Sequence, residues 1–375
     1  MARDIKFVPS IRTGNYLHEA IYRINVGYNL TEEIAFSSFR EALLLKNPEE
    51  RGIFMGILLN SVMARGPSIE EAVGFIRAAF LFDNFDPTKL DGLKLKGKVI
   101  GIGGSGKKGI KSMNISSVAA IVASSLGINI AKPCSDSTSS LTGSADFIEN
   151  LGANININAK EMTAILKETG LGFFKIESQI PRFNSLYGGK FYAPHILSLG
   201  LAGMILPFKP DSMLYGLAHP SVELSAKVFR RFGYKNVMVV TTTDDGVHFL
   251  DEFGTFGTTS IIGIRDGKLG KLVSIQTSDI LNFPNYTRES IKPGFNKEDN
   301  IRLAVQVLSG KGEAAREDIV CINAATLLYL AGKAEDLKEG YIYAKQAIKK
   351  GYPIEKLKDF IRATSGNIKF LDKYL

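Results

Sequence analysis

At residues 98–109 a short apolar run, Lys98-Val99-Ile100-Gly101, passes directly into Ile102-Gly103-Gly104-Ser105-Gly106-Lys107-Lys108-Gly109. No other feature constrains the fold of this chain as much. A strand that ends in glycines must turn sharply, and the stretch beyond it, from Met113-Asn114-Ile115-Ser116-Ser117 to Leu126, has helical spacing. Strand, glycine turn and helix in that order form the unit from which parallel sheets are built. Glycines also let backbone amides close on an anion, and the following helix adds the positive end of its dipole. The loop lacks the Gly-Lys-Ser/Thr ending of a Walker loop, and its helix begins too late for a dinucleotide fingerprint.

The hydrophobic pattern differs on the two sides of this unit. Before it, three helices are expected. One follows Thr31 with Ile34, Phe36, Phe39 and Leu43 on its stripe; one carries Ile53, Met55, Leu58, Leu59 and Met63; one starts at Ser68 with Ala72, Phe75, Ile76 and Phe80. After Asp86-Pro87 and Asp91-Gly92, strands are expected at 98–101, 128–131, 236–241 and 258–264, interleaved with helices at 117–126 and 160–169. Helices over 297–308, 314–330 and 337–349 close the chain. The pattern predicts an α/β fold: a small all-helical N-terminal domain (1–95) and a larger α/β domain (96–375) with a mostly parallel central sheet covered by helices.

Composition narrows the chemistry. Two cysteines, Cys134 and Cys321, exclude a disulfide framework and a thiolate zinc site, and they suit a reducing, cytoplasmic setting. His18, His195, His219 and His248 are scattered, and no Ser-His-Asp or Cys-His arrangement stands out. The apolar stretch 196–208 is far short of the roughly 20 residues of a spanning helix, so no membrane role is expected. The formal charge of +8 suits phosphate-bearing ligands or nucleic acid.

The block Ala131-Lys132-Pro133-Cys134-Ser135-Asp136 through Thr142-Gly143-Ser144-Ala145-Asp146 resembles the anthranilate phosphoribosyltransferase family. The resemblance extends to Gly101–Gly106, Asn114–Ser117, Asp251-Glu252, Asp318-Ile319-Val320 and Asn323-Ala324-Ala325. It implies a donor, phosphoribosyl pyrophosphate (PRPP), held with Mg²⁺. It also implies a homodimer joined through the helical domains, with a returning helical segment near 192–206 completing the small domain. By the same resemblance, Gly101, Gly103, Gly104, Ser105, Gly106, Asn114, Ser116, Ser117, Lys132, Ser139 and Ser140 are the expected donor-binding residues. Ser116, Asp251 and Glu252 are the expected metal ligands, hard oxygens of the kind Mg²⁺ takes.

Four departures from the family set this chain apart. The glycine loop is about three residues longer and has Ser105 where the family has an acidic residue. Only Lys132 remains of a Lys-His-Gly-Asn-Arg motif. Ile196 and Ala202 stand at two positions where the family carries arginine. The link Thr241–Leu250 before Asp251 is longer. Without those arginines a desolvated carboxylate has no partner, so the expected activity is phosphoribosyl transfer to an acceptor other than anthranilate. The alternative is a nucleic-acid-binding relative, motivated by Lys107, Lys108 and Lys111 beside the loop and by Lys227, Arg230, Arg231 and Lys235.

Overall fold

The structure is a computed structural model, and it describes residues 11–136, 142–189 and 191–375. Four helices open it: α1 (Tyr16–Asn25), α2 (Glu32–Leu44), α3 (Pro48–Arg65) and α4 (Ile69–Leu81). Side chains satisfy the free amides at their starts. The Thr31 side chain accepts from Ile34 N, and Ser68 and Glu71 form a reciprocal capping box. Gly74 lets α4 approach α2 closely, because a Cβ there would lie 2.5 Å from the Glu32 carbonyl oxygen. Phe39 and Phe75 then meet with ring centroids 5.3 Å apart inside the helical core.

The chain next alternates: β1 (Val99–Gly104), α5 (Ile115–Ser125), β2 (Asn129–Cys134), α6 (Ser144–Asn150), α7 (Ala159–Thr169) and β3 (Leu171–Lys175). Two short helices, α8 (Ile176–Gln179) and α9 (Pro181–Tyr187), lead to a 3₁₀ turn at Ile196–Leu199 and to α10 (Leu201–Met204). The 3₁₀ turn packs back against α3 and α4. Then follow β4 (Ser212–Gly216), α11 (Val222–Arg231), β5 (Val237–Thr243), β6 (Thr258–Arg265), β7 (Lys268–Leu269) and β8 (Val273–Gln276). Helix α12 (Ser278–Leu281) precedes α13 (Lys297–Leu308), α14 (Ala314–Ala331), α15 (Leu337–Lys349), α16 (Tyr352–Ala363) and α17 (Lys369–Asp372).

The sheet runs β3-β2-β1-β4-β5-β6-β7, with β8 also on β6. Strands β1 to β5 pair in parallel, whereas β6 joins antiparallel to β5, β7 and β8. The α/β class and the mostly parallel sheet are as expected. The central strands are buried throughout and covered by helices such as α5, which has nine buried residues. Strands β3 and β4 were not expected. Leu171-Gly172-Phe173-Phe174 follows α7 with only Gly170, at φ 75°, as punctuation, and β4 has only the apolar run Met213-Leu214-Tyr215, too short to show alternation.

This topology fixes where a site can be. From β1 the chain builds β2 and β3 on one side, then returns to place β4 and β5 on the other. The order reverses beside β1, and a crevice opens beyond the carboxyl ends of β1 and β4, where open α/β sheets bind ligands.

Candidate phosphate and metal site

The ends of β1 and β4 are stitched together. Ser105 N donates to the Gly216 carbonyl at 2.9 Å, and Ala218 N donates to Ser105 Oγ at 2.9 Å. Ser105 is thus a structural post, its hydroxyl committed to the backbone. Beyond it opens a cleft of about 240 Å³, lined by 103–108 and 111–117, by Lys132, Pro133 and Ser135 at the end of β2, and by Asp251 and Glu252. Gly101 is not part of this lining: it sits within β1, where a Cβ would lie 2.9 Å from the Met213 side chain. Ser139 and Ser140 lie outside the described residues.

Most of the expected residues converge here. Lys132 Nζ donates to Ser116 Oγ at 3.0 Å, and Ser116 N donates to Glu252 Oε1 at 3.3 Å. Gly106 N donates to Asp251 Oδ2 at 2.9 Å. Gly104 and Gly216 make room for Asp251: a Cβ on Gly104 would lie 2.7 Å from its Oδ2, and one on Gly216 1.7 Å from its backbone oxygen. Helix α5 has no side-chain bond from its N-cap residue; Ile115 N donates to the Met113 carbonyl and Ser116 N to Glu252, and Ser116 and Ser117 line the cleft. Asn114 Nδ2 instead donates to the Thr142 and Gly143 carbonyls. Three buried atoms, Asn114 Oδ1, Ser117 Oγ and Asp251 Oδ1, make no hydrogen bond. Such orphans are costly unless a ligand serves them.

The electrostatics follow from burial. Lys132 is 3 % exposed, and desolvation lowers its pKa, opposed by the charge of Glu252. Burial raises the pKa of Glu252 despite the nearby Lys108 ammonium, with Asp251 adding to the rise. Burial also raises the Cys134 thiol, which is packed in the core and is not a nucleophile.

The other end of the cleft is built by α8, α9 and the 3₁₀ turn. Ile180, Phe183, Asn184 and Tyr187 line it at a spacing of three and four residues, a helical stripe that marks them in the sequence although no motif does. Ile196 is fully buried and does not line the cleft, whereas Ala202 does. His195 Nδ1 accepts from Leu197 N, and its Nε2 meets the Tyr187 hydroxyl at 2.5 Å. Burial, with Lys107 nearby, pushes its pKa down to about 3, so the imidazole is neutral. Lys107 places its ammonium 5.5 Å from the centre of the Tyr187 ring, and burial lowers its pKa to about 8.

The basic surface residues are partly neutralised. Lys227 pairs with Glu223 at 2.6 Å and Arg231 with Glu32 at 2.6 Å. Among the described residues no helix is long and apolar enough to cross a membrane, and no cluster of three or more His, Cys, Asp or Glu could hold a metal alone.

Comparison with known proteins agrees with this geometry. The profile of the glycosyl transferase family, a/b domain, matches residues 96–354. Anthranilate phosphoribosyltransferase of Bacillus thuringiensis subsp. konkukian is 28% identical over 361 residues, covering 94% of this chain and 97% of that protein. The Streptococcus pneumoniae enzyme (strain Taiwan19F-14) is 32% identical over 255 residues, covering 66% and 72%. The crystal structure of the Thermus thermophilus enzyme superposes with a TM-score of 0.73 at 24% identity, over 92% of this chain and 99% of that one. The Saccharomyces cerevisiae enzyme, solved in complex with PRPP and Mg, superposes with a TM-score of 0.73 at 18% identity, over 93% and 98%. The strand–glycine–helix unit, the carboxylate pair and these similarities lead to one conclusion: the chain belongs to the glycosyl transferase family with this a/b domain, to which it is joined by its anthranilate phosphoribosyltransferase relatives.

Proposed function

We propose that this protein transfers phosphoribose from PRPP to an acceptor other than anthranilate. The observation that carries the donor half is the convergence of the glycine loop, the start of α5, Lys132 and the Asp251-Glu252 pair on one cleft. In the transfer, a bond forms from the acceptor to the ribose C1 carbon as the C1–O bond to pyrophosphate breaks. The electron pair leaves with pyrophosphate, and the acceptor's proton passes to solvent. Donors fixed at the leaving group stabilise the growing charge without reorganising, so positioning and electrostatics supply the catalysis.

Carboxylate and hydroxyl oxygens at Asp251, Glu252 and Ser116, with Asp251 Oδ1 lacking a hydrogen bond, fit a Mg²⁺ ion shared with substrate phosphates. When bound, that ion would neutralise charge on the pyrophosphate. Lys132 holds Ser116 Oγ in place, and the Ser105 and Gly106 amides hold the loop to Gly216 and Asp251 so that the wall of the cleft is fixed before the anion enters.

The acceptor half rests on the 196–202 segment. Ile196 is in the core, Ala202 is uncharged and His195 is neutral, so a carboxylate seated against this wall loses its water without gaining a cation. Among the described residues the remaining ammonium at this end, Lys107, comes from the opposite, glycine-loop side. The experiment is a fluorescence assay of anthranilate consumption with PRPP and Mg²⁺. No turnover is expected; turnover at about 1 per second or more contradicts the acceptor half. Residues 1–95 with 192–206 form the proposed small domain. The proposed homodimer buries the apolar side chains that this domain exposes, among them Tyr22, Val26, Leu44 and Ile53.

A further inference from the structure

We propose that Lys108 is a resident cation for pyrophosphate, delivered to Asp251 by two lengthened loops that act as one clasp; this rests on the reading of the cleft given above. Both loops that exceed the family pattern, the glycine loop and the link before Asp251, meet in the structure. Gly109 N and Ile110 N donate to the Phe249 carbonyl at 3.1 and 3.3 Å. Gly109 packs so tightly on His248 that a Cβ there would lie 3.1 Å from the His248 Cα.

The link is itself stiff. Thr243 Oγ1 donates to the His248 carbonyl at 2.8 Å, and His248 N donates to Asp245 Oδ1 at 2.8 Å. His248 Nδ1 lies 2.7 Å from Asp245 Oδ2, and Arg288 pairs with both Asp244 and Asp245. A turn anchored at this many points can hold its partner loop in register.

Lys108 is the residue that this register places. Its Nζ donates to Ser112 Oγ at 2.9 Å and lies 3.5 Å from Asp251 Oδ1, with the side chain 15% exposed. An ammonium has three donors; Ser112 takes one in a hydrogen bond, and Asp251 faces the charge as an ion-pair partner at 3.5 Å. Donor capacity is left for a phosphate oxygen entering beside the glycine loop. At the other carboxylate, Lys132 holds Ser116, whose backbone N–H donates to Glu252 Oε1. Two lysines thus balance Asp251 and Glu252 before any ligand arrives, and an incoming pyrophosphate meets cations that need no divalent metal. Part of the pyrophosphate affinity therefore belongs to the protein alone, and Mg²⁺ adds to it.

The test is calorimetric titration of the full chain with inorganic pyrophosphate and with PRPP, in EDTA and in Mg²⁺. Wild type is expected to bind both without metal, more weakly than with it. Lys108→Met should lower the metal-free affinity by about tenfold or more, as expected for a lost charge-assisted bond, and change the Mg²⁺-supported affinity much less. Lys108→Arg should restore metal-free binding. Gly109→Ala, which pushes the clasp apart without touching Lys108, should move in the direction of Lys108→Met. Equal metal-free affinity in wild type and Lys108→Met overturns the proposal, as does wild-type binding that occurs only with Mg²⁺. No binding under either condition overturns the reading of the cleft itself.

Discussion

Lys132 Nζ lies 3.0 Å from Ser116 Oγ, a bond that joins the end of β2 to the first turn of α5. Lysine is almost never fully buried without a partner, and here its partner is a hydroxyl on the wall of a cleft. Removing either member takes a donor from a charged ligand, worth about 1.5–3 kcal/mol for such bonds. Lys132→Met and Ser116→Ala are therefore each expected to weaken PRPP binding by roughly ten- to a hundredfold with folding intact by circular dichroism. Unchanged affinity in both would remove these residues from the donor site.

Asp251 depends on two glycines. A Cβ on Gly216 would collide with the backbone oxygen of Asp251, which cannot step aside, whereas one on Gly104 meets the end of its side chain. Gly216→Ala should therefore destabilise the fold, by about 1–3 kcal/mol in urea unfolding. Gly104→Ala should leave stability nearly unchanged while displacing the carboxylate and weakening Mg²⁺-supported PRPP binding. Equal stability losses in the two variants would contradict this division.

His195 gives the fold a pH dependence of known sign. Its pKa is depressed from 6.5 to about 3 in the folded chain. The unfolded chain binds the proton more readily between these values, so this contribution to stability is full above pH 6.5 and is lost as pH falls towards 3. The slope is about 1.4 kcal/mol per pH unit at most for one group. Replacing it in His195→Gln should flatten the decline of urea-unfolding stability between pH 6.5 and 4.5 relative to wild type. Parallel declines would show that the imidazole is not held neutral.

Much of this was legible in the sequence because it was local. The helices at 297–308 and 337–349 carry periodic stripes, the one at 314–331 is a long apolar run of helix formers, and β1 announces itself by entering glycines. Strands β3 and β4 were not legible, since short apolar runs buried on both faces carry no alternation. In the site, motif residues such as Lys132, Ser116 and the carboxylate pair come together as expected. Gly101 does not reach the cleft because β1 runs on to Gly104, and Ser105 spends its hydroxyl on Ala218. The contact between the two lengthened loops was invisible, because it joins residues about 140 positions apart whose only sequence mark is extra length.

The helical domain exposes Tyr22 at 68% and Val26 at 61%, beside Leu44 and Ile53. Apolar side chains gathered on one small domain suit a two-fold self-complementary contact. Light scattering at micromolar concentration is expected to give the mass of a dimer, and Tyr22→Asp with Val26→Asp should shift it towards the monomer. A monomeric wild type would contradict the proposed assembly.

The central claim is that the cleft beyond β1 and β4 holds PRPP together with Mg²⁺. Calorimetric titration of the protein with PRPP, with and without Mg²⁺, tests it most directly. Saturable binding is expected that Mg²⁺ tightens and that Asp251→Asn with Glu252→Gln makes insensitive to Mg²⁺. Absence of PRPP binding in the presence of Mg²⁺, alongside salt-sensitive binding of DNA, would contradict it.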